Sequence, residues 1–296
     1  HMNQPNGKWT HWLLFLALSV TWGSSFILMK RGLYSSEGQP TLNAFEVAAL
    51  RLLSAGVFML PFALRNFRMV SRKALGYITI CGVIGTFIPA FLFCVAETRI
   101  DSNLAGFLNS FTPISTLLIG GLFFRLRFAP QKYIGVLVAF LGMALLFWAH
   151  PHSSSKDLYY SLLVLAATLC YGLNVNIGSH HLREVPALQI AALAFSLLIL
   201  PSLLVLQFSG FFSHTPDREY WISISASMLL GVLGTAIASI WFYRLMKVAG
   251  PLFSSMVTYG IPFVALAWGV YYQETIYGLQ VAGLAIILAG VYTASK

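Results

Sequence analysis

Ten long apolar runs, separated by short polar breaks, dominate the pattern of this chain. They cover residues 12–33, 45–64, 74–97, 102–124, 133–148, 158–178, 188–208, 221–246, 251–271 and 277–294. A spanning helix needs about 20 apolar residues, because roughly 30 Å of hydrocarbon is crossed at about 1.5 Å per residue. Spanning barrel strands are shorter and alternate apolar with polar positions, which these runs do not. The pattern predicts an all-α integral membrane protein with ten transmembrane helices. Residues 99–101 and 248–250 read as tight turns between antiparallel neighbours. The longest breaks, 34–44, 150–157 and 209–220, are polar and carry proline, and none is long enough for a soluble domain.

The runs repeat. Residues 82–86, Gly-Val-Ile-Gly-Thr, return as Gly-Val-Leu-Gly-Thr at 231–235, 149 positions later. The same offset carries Pro113 onto Pro262 and Trp22-Gly23 onto Tyr171-Gly172, and Gly135 and Gly142 meet Gly283 and Gly290 with a slip of one. Matches in four separate segments at nearly constant offset argue for one unit written twice. The first five-helix unit spans residues 1–149, a linker 150–157, and the second unit 158–296. Five helices is an odd number, so the second copy enters the membrane from the opposite side. The expected architecture is two five-helix inverted repeats, which give a transporter two related shapes, one open to each side.

Composition agrees with a membrane setting. Only 9% of the 296 residues are charged and 58% are apolar, with a mean hydropathy of +0.77, whereas soluble domains carry about 25% charged residues. His1-Met2 reads as a tag remnant, and the first run is too long, without a small-residue cleavage pattern, for a secretory signal. The net charge of +9 reports topology rather than nucleic-acid binding, because the basic residues sit in short loops. Lys8, Arg65, Arg68, Arg72, Lys73, Arg125, Arg127, Lys132, Arg183, Arg244, Lys247 and Lys296 fall on one side. Lys30, Arg31, Arg99, Lys156 and Arg218 fall on the other, with Arg51 inside the second run. The positive-inside rule then puts both termini in the cytoplasm, and the expected location is the cytoplasmic (inner) membrane.

No cofactor or metal is expected. Cys81, Cys94 and Cys170 are scattered in apolar runs, where a thiol is a small core residue. His150 and His152 in the linker lack a second ligand pair. An intramembrane enzyme would need a nucleophile with a base, a metal cluster or a carboxylate pair. His11, His180 and His181 offer only Glu184 as an acidic neighbour of the last two. A channel would show a filter-like repeat or a charged ring, and neither is visible.

The chain resembles the EamA-type branch of the drug/metabolite transporter superfamily. The residues that carry the likeness are Trp22-Gly23-Ser24-Ser25-Phe26 followed by Lys30 in the first run, and Arg51 in the second. Ala105 and Pro113 in the fourth, Pro262 in the ninth, the paired glycines of the fifth and tenth, and Glu274 after the ninth complete it. Tyr171 departs from the pattern, since a tryptophan is common there. The resemblance implies a secondary carrier without an ATP site, moving small metabolites, with many relatives exporting amino acids. It also implies a central cavity lined mainly by helices 1, 3, 4, 6, 8 and 9, with helices 5 and 10 as scaffold.

Within the helices so implied, Trp22, Phe87, Phe91, Tyr171, Trp241, Tyr243 and Tyr259 either wall the cavity or pack against lipid and core. Asn109 and Asn174 either bind substrate or hold helices together, because a buried amide must be hydrogen-bonded; Ser110, Thr112 and Asn176 share that choice. An aromatic cavity with a few amides suits a small, partly apolar, zwitterionic ligand, or a cation against ring faces. Pro113 and Pro262 each remove a helical hydrogen bond and read as hinges or tolerated kinks. Lys30, Arg51, Glu97, Arg99 and Asp101 read as an outer charge network or gate, with Glu97 the first candidate if transport is proton-coupled. Gly135, Ala139, Gly142, Gly283 and Gly290 let helices 5 and 10 approach closely. Trp9, Trp12, Tyr271, Tyr272 and Tyr277 read as interface anchors. The expected function is export of amino acids, aromatic or apolar ones among them, by alternating access. Multidrug or organic-cation export and metabolite uptake are the alternatives. The expected partners are a small-molecule substrate and the lipid bilayer, and a monomer suffices because the fused repeat supplies both orientations.

Overall fold

The computed structural model describes residues 6–100, 102–148, 158–214, 217–264, 267 and 278–296. The linker 150–157, Asp101, Glu274 and the expected anchors Tyr271, Tyr272 and Tyr277 lie outside these. Among the described residues the regular structure is helical, apart from one isolated bridge between Tyr34 and Pro40. The α-helices are α1 (Asn6–Leu33), α2 (Ala44–Asn66), α3 (Arg72–Gly82), α4 (Ile88–Ala96), α5 (Ser102–Asn109), α6 (Thr112–Phe123) and α7 (Pro130–Trp148). They continue as α8 (Leu158–His181), α9 (Ala187–Leu197), α10 (Ile199–Phe208), α11 (Arg218–Leu229), α12 (Ala238–Ser255) and α13 (Gly278–Ser295).

Eight helical stretches among the described residues are long and apolar enough to cross a membrane, and Pro130–Leu145 is a shorter apolar one. One stretch, Arg218–Val264, runs for 47 residues where the sequence predicts two crossings. Gly250 interrupts it at φ 86°, a left-handed conformation that glycine adopts at no steric cost. Large apolar side chains such as Leu16, Leu122, Phe123, Leu141 and Leu200 are exposed on the outside, as a lipid-facing surface requires.

Four breaks interrupt the spans, two of them beside the prolines read as kinks and two at π stretches that the sequence pattern did not foresee. A π-helical stretch, Val83–Phe87, joins α3 to α4, and a second, Leu230–Ile237, joins α11 to α12. Pro89 has no N–H to donate to the carbonyl of Gly85 one turn back, which accounts for the first. The second has no proline, and the indole N–H of Trp22 donates to its Gly234 carbonyl at 3.0 Å. The chain also leaves α-helix at Ser110–Phe111 and tightens to 3₁₀ at Met256–Gly260. Pro113 therefore occupies the first turn of α6 rather than a helix interior, where its missing N–H costs nothing. Pro262 falls just after the 3₁₀ stretch, in the helical turn 261–264.

The expected close approach of helices 5 and 10 is present as α7 against α13. A Cβ at Gly142 would fall 2.7 Å from the Gly283 carbonyl oxygen, and Gly135 and Gly290 are equally tight against each other's helices. At one end of the bundle, Asn43 caps α2. Its Oδ1 accepts from the backbone N–H groups of Phe45 and Glu46 at 3.0 Å each, while Glu46 Oε2 accepts from Asn43 N at 2.9 Å.

Candidate functional site

The breaks converge on one central cavity of about 120 Å³. Trp22, Ser25, Phe26 and Met29 of α1 line it, with Arg51 of α2, Gly85 and Thr86 of the first π stretch, and Phe93 of α4. Asn109, Thr112, Tyr171, Asn174 and Val175 follow from α5, α6 and α8. Gly234 and Thr235 of the second π stretch, Ser239, Phe242, Tyr243 and Ser255 of α12, then Thr258 and Ile261 complete it.

Most of the lining falls into pairs. Trp22 and Tyr171, Ser25 and Asn174, Phe26 and Val175, Gly85 and Gly234, Thr86 and Thr235, Phe93 and Phe242, Asn109 and Thr258, and Thr112 and Ile261 are each 149 positions apart. Their contacts are paired too. Trp22 packs on Phe242 with ring centroids 5.4 Å apart, and Tyr171 stacks on Phe93 at 6.1 Å. Outside the lining, Gly23 abuts Val264 and Gly172 abuts Ser115, again 149 apart on both sides of the contact.

Among the residues expected to bind substrate, Trp22, Asn109, Tyr171, Asn174 and Tyr243 line this cavity, and Phe87, Phe91, Trp241 and Tyr259 do not. Phe87 packs on Phe91 at 4.9 Å and Phe91 on Phe45 at 5.9 Å, away from the lumen. Trp241 packs into the smaller apolar cluster around α7 and α13. Tyr259 is fully buried and its hydroxyl donates to the Val136 carbonyl of α7 at 3.2 Å, so Thr258 faces the cavity in its place. The repeat offset held the signal for these choices. It pairs Asn109 with Thr258, not Tyr259, and it joins Phe93 to Phe242, which aromatic content alone passed over.

The outer charge network expected of Lys30, Arg51, Glu97, Arg99 and Asp101 divides among separate partners. Lys30 Nζ donates to the backbone carbonyls of Glu97 and Ile100 at 2.7 and 3.3 Å, closing the end of α4. Glu97 is fully buried and Glu97 Oε2 accepts from Ser102 Oγ at 3.4 Å. Arg99 is exposed. Arg51 lies about 10 Å along α2 from Ala44, so its guanidinium reaches the cavity, where Nε donates to Thr235 Oγ1 at 2.6 Å. The ion pairs among the described residues lie elsewhere, Arg31 with Glu219 at 2.7 Å and His214 with Glu46 at 3.1 Å.

Several polar groups of the lining are already engaged. Asn109 and Asn174 are buried beside the lumen; Thr112 Oγ1 donates to the Asn109 backbone carbonyl at 2.7 Å, and Tyr243 OH to Asn174 Oδ1 at 3.5 Å. Two residues along α8, Asn176 does different work. Its Nδ2 donates to the Thr116 and Gly172 carbonyls at 3.0 and 2.8 Å, tying α8 to α6. The cavity is thus aromatic, hydroxyl- and amide-bearing, and among the described residues Arg51 is the charged side chain that lines it. Such a chamber can hold a small partly apolar solute with polar ends.

Comparison with known proteins places this architecture. The EamA-like transporter family matches residues 9–148 and, a second time, residues 158–296. An uncharacterized transporter of Archaeoglobus fulgidus is 25% identical over 96% of this chain and 97% of its own length. A probable amino-acid metabolite efflux pump of Salmonella typhimurium is 28% identical over 94% of this chain and 92% of its own. A probable terminal-alkyne amino-acid exporter of Streptantibioticus cattleyicolor is 27% identical over 95% and 91%. A crystal structure of a protein at 18% identity shares the fold, with a TM-score of 0.71 over 95% of this chain and 96% of that one. With long apolar helices around a cavity and both halves matching one family, the chain belongs to the EamA-like transporter family and is a multi-pass membrane transporter.

Proposed function

We propose that this protein is a secondary transporter that exports amino acids or related small metabolites across the cytoplasmic membrane by alternating access. The observation that carries this reading is the paired lining of the cavity: each π stretch, each aromatic pair and each break before proline in one half has its mate in the other. In an inverted repeat such mates face opposite sides of the membrane, so exchanging their conformations exchanges the open side.

Ten crossings fit this reading. The break at Gly250 divides the 47-residue stretch, and α7, though short, packs against α13 as its counterpart. Basic residues then place both termini in the cytoplasm. The breaks before Pro113 and Pro262 serve as hinges, since a helix interruption is where backbone angles change at least cost. A single chain supplies both halves and works as a monomer. The substrate class is supported by relatives named as amino-acid efflux pumps and exporters, and by a chamber combining rings, amides and one guanidinium. An organic cation is disfavoured by that guanidinium, since like charges repel.

Labelled amino acids taken up by proteoliposomes, with and without an imposed pH gradient, test the reading. Saturable movement of at least one amino acid above protein-free liposomes is expected. Rates equal to protein-free liposomes across the panel would overturn it. A dependence on the gradient would direct attention to the buried carboxyl of Glu97.

A further inference from the structure

Resting on the transport reading above, we infer that Arg51 is the anchor for a substrate carboxylate, and that this one residue makes the cavity selective for carboxylate-bearing solutes over amines. A guanidinium carries five N–H donors. Thr235 occupies one of them, and among the described residues no carboxylate stands within 4 Å of the group. Arg51 is half-buried at the cavity, and a charge partly withdrawn from water gains from meeting an opposite one. Among the described residues the lining offers no aspartate or glutamate for that purpose. The terminal fork of arginine matches the two oxygens of a carboxylate, as a lysine ammonium does not. Thr235 Oγ1, itself 3.3 Å from the Leu230 carbonyl, fixes the Nε edge and leaves the fork for the ligand.

Arg51, like Met29, Ser239, Tyr243 and Ser255, has no mate in the lining. The residue 149 positions on from Arg51 is Leu200, which is 67% exposed on the outer face. A chamber of paired walls would accept a dipolar solute in two orientations, and a charge supplied by one half alone selects one of them. Asn109 and Asn174 then provide amide oxygens, each with a second lone pair, for an ammonium where the ligand has one.

The experiment uses L-phenylalanine, 3-phenylpropionate, which keeps only the carboxylate, and phenethylamine, which keeps only the ammonium. Ligand-induced thermal shifts of the purified protein are read beside transport in proteoliposomes. The wild type is expected to be stabilised by both carboxylates and not by phenethylamine. Arg51→Gln should weaken carboxylate binding about 10- to 100-fold, the range of a lost charge-assisted hydrogen bond. Arg51→Lys should lose less, and it carries the test if Arg51→Gln does not fold. Preference of the wild type for phenethylamine, no shift with either carboxylate, or unchanged carboxylate affinity in a folded Arg51 variant would each overturn the inference. If the liposomes move no amino acid while Arg51-dependent carboxylate binding persists, the export reading fails and this one stands. If L-phenylalanine moves equally well through folded Arg51→Gln, export stands and this inference falls. The free-acid and amino-acid arms also separate an organic acid from an amino acid as the source of the carboxylate.

Discussion

Gly85 faces the amide of Asn174 with room for a hydrogen and nothing larger: a Cβ at Gly85 would collide with that side chain. Its mate repeats the contact, for a Cβ at Gly234 would fall 2.6 Å from Ser25 Oγ. Ser25 and Asn174 are themselves 149 apart, so one glycine-to-polar contact is built twice across the cavity.

Gly85→Ala should therefore cost about 1–3 kcal/mol, the usual penalty of overpacking, and slow transport by displacing Asn174. Adding Asn174→Ala should recover stability relative to Gly85→Ala alone, because the colliding atoms are gone. Thermal unfolding of the purified single and double variants checks this. Gly85→Ala unfolding at the wild-type temperature would contradict the contact.

Trp22 joins a ring contact and a hydrogen bond in one side chain. Trp22→Phe keeps a ring against Phe242 but removes the donor to Gly234 O. We expect a loss of about 1–3 kcal/mol, the cost of leaving a buried carbonyl unsatisfied. Tyr171→Phe, at the mate position, should be close to neutral in stability, because among the described residues the Tyr171 hydroxyl makes no hydrogen bond. Equal melting shifts for the two would remove the special role of the indole N–H.

Much of this was legible in the sequence. The apolar runs marked the helices because their length is set by bilayer thickness, and the 149-residue offset marked Trp22 with Tyr171, both of which line the cavity. Arg51 was visible as a charge inside a helix, but its direction was not: rotation of α2 about its axis decides between rim and lumen. Tyr259 and Trp241 were misplaced for the same reason, since one residue along a helix turns a side chain by about 100°. The π stretches left almost no trace. They depend on how a helix meets its neighbours, and the proline that accounts for one is missing from the other.

Gly142→Leu should prevent assembly rather than alter selectivity. The side chain would enter the seam where the Gly283 carbonyl and the Ile287 amide lie 2.7 Å from the Cβ position, costing about 3 kcal/mol or more. Leu141→Phe, one position away on the exposed face, should be tolerated. Yield and monodispersity after purification distinguish them, and a well-behaved Gly142→Leu protein would contradict the packing of α7 on α13.

Thr235→Val keeps the shape of the side chain and removes the acceptor of Arg51 Nε. Carboxylate affinity should fall about tenfold, as for a hydrogen bond to a charged group. Thr86→Val, its mate, does not touch Arg51 and should leave that affinity within about twofold of wild type, since no charge-assisted bond is lost there. Equal losses at the two positions would mean that the hydroxyls act on the ligand directly rather than through the guanidinium.

We propose that Asn174 and Asn176 divide transport and scaffold roles on a single helix. Both are buried, but Asn176 spends its amide N–H groups on the Thr116 and Gly172 carbonyls, while Asn174 turns to the cavity and accepts from Tyr243. Asn176→Ala leaves the Thr116 carbonyl, which joins α8 to α6, without this donor and should cost about 1–3 kcal/mol of stability, with the substrate KM unchanged in whatever protein folds. Asn174→Ala should do the reverse, retaining the melting temperature within a few degrees while raising the KM for the transported solute about 3- to 10-fold, the loss of one hydrogen bond of ordinary strength. Melting temperature and KM measured on both variants give a two-by-two outcome. A fall in stability at Asn174 with unchanged KM would assign it to the scaffold alongside Asn176, and leave Asn109 as the amide facing the solute.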